Sequence, residues 1–257
     1  MSLQGSPIDP ALSRSTPMWP LNPQPYARLA GALYLLVILF GGLSEGLVTS
    51  KLIVPGDFAA TARNITGDAS LWRLSVAGNL MVPLIAVPQL WIEYYLLRPV
   101  SRPLTVLFVL LNLVSLAIEC VSKLFLLMVL PMLEAGSLGG ASQPDQLRGL
   151  ASFALTAHDI SFNMALAFFG GAILVSGYLI LRSGYFPRLI GLLMQLAGAC
   201  YLVASLSALL APGLANALTP WILLPVLVGE ATFCLWLLIK GVNVLKWKER
   251  ASVSQPA

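Results

Sequence analysis

Two charged side chains lie inside the apolar stretch IECVSKLFLLMVLPM, which begins at Ile118. Glu119 and Lys123 are four residues apart with the acid first, the favoured order for an ion pair along one helix face. An ionisable residue at the centre of a membrane-crossing helix costs about 2.5–3.5 kcal/mol on insertion scales, so both residues are candidates for function. Three interpretations stay open. The pair is a structural ion pair facing the interior of a helix bundle, or Lys123 holds an anion or Glu119 accepts protons, or Lys123 extends to the lipid surface.

Other polar side chains occur in the remaining apolar segments. The rise of an α-helix places most of them between mid-membrane and the outer surface. This common level predicts a cavity that is open to the outer side, with random placement of a few polar residues as the alternative. The candidate intramembrane polar cluster comprises Glu45, Asn79, Glu119, Lys123, His158, Asp159, Asn163 and Glu230.

Two glutamates need partners of different kinds. Glu230 falls near mid-depth, where a carboxyl group requires a proton or a basic partner. Lys123 is the only basic residue at a comparable depth, so we predict a cluster of Glu119, Lys123 and Glu230. Glu93 falls close to the inner surface, and we expect its side chain to extend towards water.

A pair of glycines brackets Glu45. Gly42 and Gly46 have the G-x-x-x-G spacing that permits close packing of two membrane helices. Glu45 itself either contributes to a site or bonds a neighbouring helix or outer water.

The only histidine, His158, precedes Asp159 in the stretch TAHDISFN. The two could serve as acid and base in an enzyme that acts on a lipid, or they could line the mouth of a helix and bond water or backbone. Catalytic zinc normally takes three protein ligands, and a site with one histidine would need Asp159 together with Glu45 or Glu119. The sequence also lacks a G-x-S-x-G nucleophile motif. We therefore assign no catalytic residue, metal or cofactor, and the sequence favours a non-enzymatic role.

Long apolar helices must position these side chains. Of 257 residues, 58% are hydrophobic and 10% charged, against about 25% charged in soluble domains. Six segments are long enough to cross a hydrocarbon core about 30 Å thick. They must be helices, because backbone groups in lipid are hydrogen-bonded within their own segment. The predicted fold class is an all-α polytopic transmembrane bundle of six helices, at about 28–48, 75–97, 104–131, 152–181, 188–210 and 219–240.

The flanking segments predict domain organisation and orientation. Residues 1–25 contain six prolines and are predicted to be a disordered arm, residues 26–243 the six-helix domain, and 244–257 a cytoplasmic basic tail. With both termini inside, ten Lys and Arg lie in inner segments and four in outer loops. This asymmetry favours that orientation, and it explains the net charge of +4 without nucleic-acid binding. Asp57 is predicted to cap a short outer helix from Phe58 to Asn64.

Several stretches resemble one family of membrane proteins. They are ARLAGALYLLVILFGGLSE, KLIVPGDFAATARNI, YYLLRPVSRPL, GYLILRSGYFPRLIGLLMQLAGACYL and LLPVLVGEATFCLWLLIKGV, and together they cover about residues 26–243. They are similar to the domain-of-unknown-function 4386 family, whose members are six-helix membrane proteins and mostly bacterial. The resemblance implies a multi-pass protein of the bacterial cytoplasmic membrane, and it implies no activity.

Three classes of function remain. The first is a carrier of a small solute or ion, or a proton-linked sensor, that uses the outer cavity. The second, the alternative, is a non-catalytic membrane partner or assembly protein. The third is a lipid-acting membrane enzyme, which the missing catalytic motifs disfavour. The expected partners are the lipid bilayer and a small solute or ion.

Overall fold

The computed structural model describes residues 22–137, 144–219 and 221–253, so most of the predicted N-terminal arm lies outside the described residues. Within these ranges the chain is helical and contains no strand. In chain order the elements are α1 (Gln24–Gly41), a π-helical segment (Gly42–Thr49), α2 (Ser50–Leu52), α3 (Phe58–Gly67), α4 (Ala69–Leu97), α5 (Arg102–Ser137), α6 (Pro144–Ser183), α7 (Arg188–Leu210), α8 (Pro212–Leu218), α9 (Leu223–Ile239) and α10 (Val244–Val253).

Five helical stretches of the described chain are long and apolar enough to cross a membrane, which confirms an all-α polytopic bundle. They are Gln24–Leu52, Ala69–Leu97, Arg102–Ala135, Asp145–Ser183 and Arg188–Leu210. A sixth crossing exists if α8 and α9, which meet at a bend of 61°, count as one broken span.

The sixth predicted segment, at about 219–240, corresponds to one helix. This helix, α9, begins at Leu223, ends at Ile239 and has 17 residues. At the rise of an α-helix it is about 26 Å long, slightly short of a hydrocarbon core. The short α8 ends at Leu218, before the predicted segment begins, so none of the six predicted segments includes it.

The outer loop forms the predicted capped helix. The Asp57 carboxylate accepts a hydrogen bond of 2.8 Å from the backbone N–H of Ala60, and α3 continues to Gly67. Asp68 then caps α4 in the same way through the N–H of Leu71. The inner face of α3 buries Ile65, which packs with Trp72 and Leu126 in an outer hydrophobic cluster.

Glycines set the distance between α6 and α7. Gly170 faces Gly198, and Gly177 faces Gly191, so that a side chain at any of the four would approach backbone atoms of the other helix at 2.8–3.1 Å. The expected glycine contact beside Glu45 is absent: among described residues, no atom lies within 4 Å of where a Cβ of Gly42 or Gly46 would be. Close helix packing at glycines is therefore present elsewhere: between α6 and α7, where Gly31 of α1 meets α9, and where Gly229 of α9 meets α7.

Most of the predicted basic tail is helical. Residues 244–253 form α10, and its Trp247 is buried against the bundle. The Trp247 Nε1–H donates to the carbonyl oxygen of Leu96 at 3.0 Å, and the Tyr185 hydroxyl donates to the same oxygen at 2.7 Å. Burial raises the pKa of Tyr185 far above its usual value, so the hydroxyl keeps the proton that it donates.

Candidate functional site

A cavity of about 260 Å³ lies inside the bundle. Side chains of α1, the π-helical segment, α4, α5, α6, α7 and α9 line it. It extends from Glu45 and Asn79, towards the predicted outer side, to Glu93 near the inner end of α4. The distance from Asn79 to Glu93 along α4 is about 21 Å at helical rise, so the cavity covers much of the thickness of a bilayer.

Lys123 lies at the outer part of this cavity with 1% of its side chain exposed. Its Nζ is 3.9 Å from Glu119 Oε1, as the four-residue spacing predicts, and 3.8 Å from Glu45 Oε2. Both distances exceed a direct hydrogen bond, so the pairs are electrostatic contacts. The ammonium also lies 4.3 Å from the centre of the Phe162 ring, in cation–π geometry.

His158 joins the same group from α6, where it is 1% exposed. Its Nδ1 is 3.1 Å from the carbonyl oxygen of Ser122, which can only accept, so Nδ1 carries a proton. Its Nε2 is 3.4 Å from Glu45 Oε1. That second contact is a hydrogen bond only when Nε2 or the carboxylate carries a further proton.

Glu230 lies deeper, between two tyrosines. The Tyr34 hydroxyl donates to Glu230 Oε1 and the Tyr201 hydroxyl to Oε2, each at 3.2 Å. The predicted cluster of Glu230 with Lys123 is therefore not formed. The physical reason is helix order: α9 packs against α1 and α7, whose tyrosines reach the carboxylate, whereas Lys123 is on α5.

Glu93 is buried and lines the inner part of the cavity, which corrects the expectation that it extends to water. The Gln89 side-chain amide donates to its Oε1 at 2.9 Å. The amide oxygen of Gln89 is itself buried and lacks a hydrogen-bond partner among the described residues. Residues of α4 that line the cavity recur at helical spacing, and they include Asn79, Ala86, Gln89 and Glu93. This spacing places Glu93 on the cavity face of α4, whereas its depth alone suggested contact with water.

Three predicted members, His158, Asp159 and Asn163, do not line the cavity, although His158 contacts Glu45, which does. Asp159 is exposed on the outer face of α6, and Asn163 donates to its backbone carbonyl at 2.9 Å rather than facing the cluster. Successive residues on a helix point about 100° apart, so an inward His158 turns Asp159 away. The acid–base pair of His158 and Asp159 is therefore not assembled, and neither is the one-histidine zinc site that needed Asp159. Asn79 lines the cavity and donates to the carbonyl oxygen of Ser75 at 3.2 Å.

The π-helical segment carries Glu45 into the site. Its backbone is held by side chains: the hydroxyls of Thr49 and Ser75 both donate to the carbonyl oxygen of Ser44, at 2.8 and 3.0 Å. A π-helical stretch inside a longer helix commonly occurs at functional positions. Nothing in the residue pattern GLSEGLVT predicts it.

Comparison with known proteins gives a family for this arrangement. No curated protein and no solved structure matched the chain. A family model described as a domain of unknown function (DUF4386) matches residues 29–241, which include every residue lining the cavity. Because the match covers most of the chain and agrees with the resemblance seen in its sequence, this integral membrane protein belongs to the DUF4386 family.

Proposed function

We propose that the protein is a carrier for a small organic cation, which binds in the cavity in exchange for a proton. The observation that carries the proposal is the charge of the lining. Among the described residues that line the cavity, four are carboxylates and one is an ammonium. The carboxylates are Glu45, Glu93, Glu119 and Glu230.

Lys123 does not leave a free positive charge for an anion. It lies between the carboxylates of Glu45 and Glu119 and against the Phe162 ring. One ammonium can balance only one of these two carboxylates. The remaining negative charge must be neutralised by a proton or by a bound cation, because an unpaired charge inside a bundle is costly.

The wall of the cavity suits an organic cation better than a metal ion. Tyr34, Phe162, Phe169, Tyr201 and Phe233 line it. Aromatic faces attract organic ammonium groups through cation–π interactions, by about 0.5–2 kcal/mol each. The volume of about 260 Å³ has room for a solute of roughly ten non-hydrogen atoms.

Glu230 is the best candidate for the primary contact. Its two oxygens accept from Tyr34 and Tyr201, and a cation in the cavity would meet both the carboxylate and the aromatic rings. Glu45, whose side chain is 30% exposed, offers the point of entry at the predicted outer side. When the cation leaves, a proton can take its place on the carboxylate.

Isothermal titration of the purified protein in detergent tests this function, with tetraethylammonium as the cation and butyrate and butanol as an anionic and a neutral probe. We expect tetraethylammonium to bind and the other two not to bind. The affinity should increase with pH, because a proton competes for the carboxylate and the quaternary probe has no proton of its own. The Glu230→Gln variant should bind about 30-fold more weakly or worse, since removing one partner of a buried charge contact costs about 2–5 kcal/mol.

The matched control is Asp159→Asn, which removes a carboxylate that the cavity does not include. It should bind tetraethylammonium as the wild type does. Butyrate binding in place of the cation, or an unchanged affinity in a folded Glu230→Gln variant, would overturn the proposal. In proteoliposomes, uptake of the cation should be accompanied by release of protons from the lumen, measured with an enclosed pH dye.

A further inference from the structure

We propose that a pocket at the predicted inner face binds the phosphate of an anionic phospholipid headgroup. The pocket, here called the basic pocket, has a volume of about 530 Å³ and lies between the α6–α7 turn and α10. It is separate from the central cavity, and its function does not depend on the cation proposed there. Its lining residues are Leu181, Arg182, Gly184, Phe186, Arg188, Lys246 and Arg250.

The basic pocket concentrates positive charge without an acid to balance it. Arg182, Arg188, Lys246 and Arg250 are all exposed, and none of them forms an ion pair with any described residue. No Asp or Glu is among the described residues of the lining. Four cations that converge on one pocket repel each other until an anion enters. Three of them are arginines, whose planar donor forks match the oxygens of a phosphate.

The α6–α7 turn holds two of these cations in place. Gly184, with a φ of +75°, permits the tight reversal between Arg182 and Arg188. The Ser183 hydroxyl accepts from the backbone N–H of Phe186 at 3.2 Å, which stabilises the same turn. The neighbouring Tyr185 hydroxyl fixes the turn to the end of α4.

Helix α10 holds the other two. Lys246 and Arg250 are four residues apart and therefore lie on one face of the helix. Trp247 anchors that helix, because its ring is buried, lies 5.2 Å from the ring of Tyr95 and bonds the carbonyl of Leu96. The basic pocket is thus built from two docked elements rather than from loose surface side chains.

The surroundings favour a membrane-bound phosphate over a free one. On α10, Leu245 is 75% exposed and Val253 is 83% exposed, although both are apolar. A helix with a basic face and exposed apolar residues is typical of the bilayer interface, where the apolar side chains enter the acyl region. Basic pockets beside membrane helices on the inner side bind the headgroups of anionic lipids. A headgroup in this pocket would keep its acyl chains beside Leu245.

The test measures lipid binding to the full-length protein in neutral detergent, by native mass spectrometry. The probes are dioleoyl phosphatidylglycerol, dioleoyl phosphatidylcholine and inorganic phosphate. We expect phosphatidylglycerol to bind in preference to phosphatidylcholine. An Arg182→Gln/Arg250→Gln variant should bind it about 30-fold more weakly, since each basic residue near an anionic lipid contributes about 1 kcal/mol.

The control variant is Arg28→Gln/Lys248→Gln, which removes the same charge from exposed positions on the same side but outside the basic pocket. It should retain the preference. An equal loss of phosphatidylglycerol binding in both double variants would mean diffuse attraction and overturn the site. Binding of inorganic phosphate as strong as that of phosphatidylglycerol would overturn the assignment of a lipid. An Arg182→Lys/Arg250→Lys variant keeps the charge and should recover only part of the affinity; full recovery would contradict the role of the arginine forks.

Discussion

At the scale of single residues, the site combines one local contact with several distant ones. The contact of Glu119 with Lys123 follows from a spacing of four along one helix, and it could be predicted without knowledge of the fold. Glu45 reaches the same ammonium from 78 positions earlier in the chain, by subtraction of the residue numbers. The spacing within a segment does not contain that information, because it depends on which helices become neighbours.

Because Lys123 contacts two carboxylates rather than one, its substitution should affect stability more than loss of a single ion pair would. Lys123→Met should lower the free energy of unfolding by about 3–5 kcal/mol, because it leaves two carboxylates without their cation. Glu119→Gln combined with Lys123→Met should recover only part of the loss, since Glu45 remains. Adding Glu45→Gln should recover more. The measurement is a mutant cycle of unfolding in mixed micelles. Strictly additive effects would show that the three groups are hydrated separately.

Glu230 illustrates the limit of reasoning from charge alone. A carboxylate at its depth predicts a basic partner, and in the sequence Lys123 is the only basic residue at that depth. The structure instead supplies two tyrosine hydroxyls, from Tyr34 and Tyr201. Both tyrosines lie inside α1 and α7 rather than at their ends, and an uncharged hydroxyl gives no sign in the sequence that it partners a carboxylate. Their position inside the bundle became visible only with the packing of α1, α7 and α9.

At the scale of elements, the apolar segments were predictable because hydropathy and length are properties of each segment alone. Their adjacency was not, since lipid tails are as apolar as leucine and give no direction to helix association. The contact of α6 with α7 depends instead on glycines seven residues apart on each helix, Gly170 with Gly177 and Gly191 with Gly198. The α8–α9 break and the π-helical segment are likewise changes of backbone direction to which hydropathy is insensitive.

A pair of neighbouring glycines tests this packing. A Cβ at Gly170 would lie 2.9 Å from Tyr201 Cβ and 3.1 Å from the Gly198 carbonyl oxygen. A Cβ at Gly171 would meet, among the described residues, only Leu111 Cδ1, at 3.7 Å. Gly170→Ala should therefore lower the stability by about 1–3 kcal/mol through overpacking. Gly171→Ala should leave it unchanged or raise it slightly, because alanine has the higher helix propensity. Thermal unfolding in detergent compares the two, and equal effects would contradict direct backbone contact.

At the scale of the whole molecule, the sequence predicts orientation through the distribution of basic residues. The short outer helix α3 and the C-terminal α10 lie at the ends of the bundle that the ten-to-four asymmetry assigns to opposite sides. This assignment decides which side of the membrane the basic pocket and the entry at Glu45 face. An orientation measurement therefore bears on both proposals.

Cysteine labelling measures it. In a background without Cys120, Cys200 and Cys234, single cysteines at Arg63 and Lys248 place a thiol on exposed positions of α3 and α10. We expect a membrane-impermeant maleimide to label Arg63→Cys in intact cells and to label Lys248→Cys only after permeabilisation. The reverse pattern would place the termini outside and exchange the roles of the two ends.

One carbonyl oxygen has a mechanical consequence for the bundle. Leu96 O accepts from both Tyr185 and Trp247, so the inner ends of α4, the α6–α7 turn and α10 are tied at one point. It is one of the last carbonyls of α4, a position that the helix itself leaves without a donor. When helices are joined at one end, a change in their relative tilt displaces their residues further with distance from the joined end. A rearrangement of the bundle would then be largest at the far end, where Glu45 and His158 meet, and a headgroup bound in the basic pocket would restrict it.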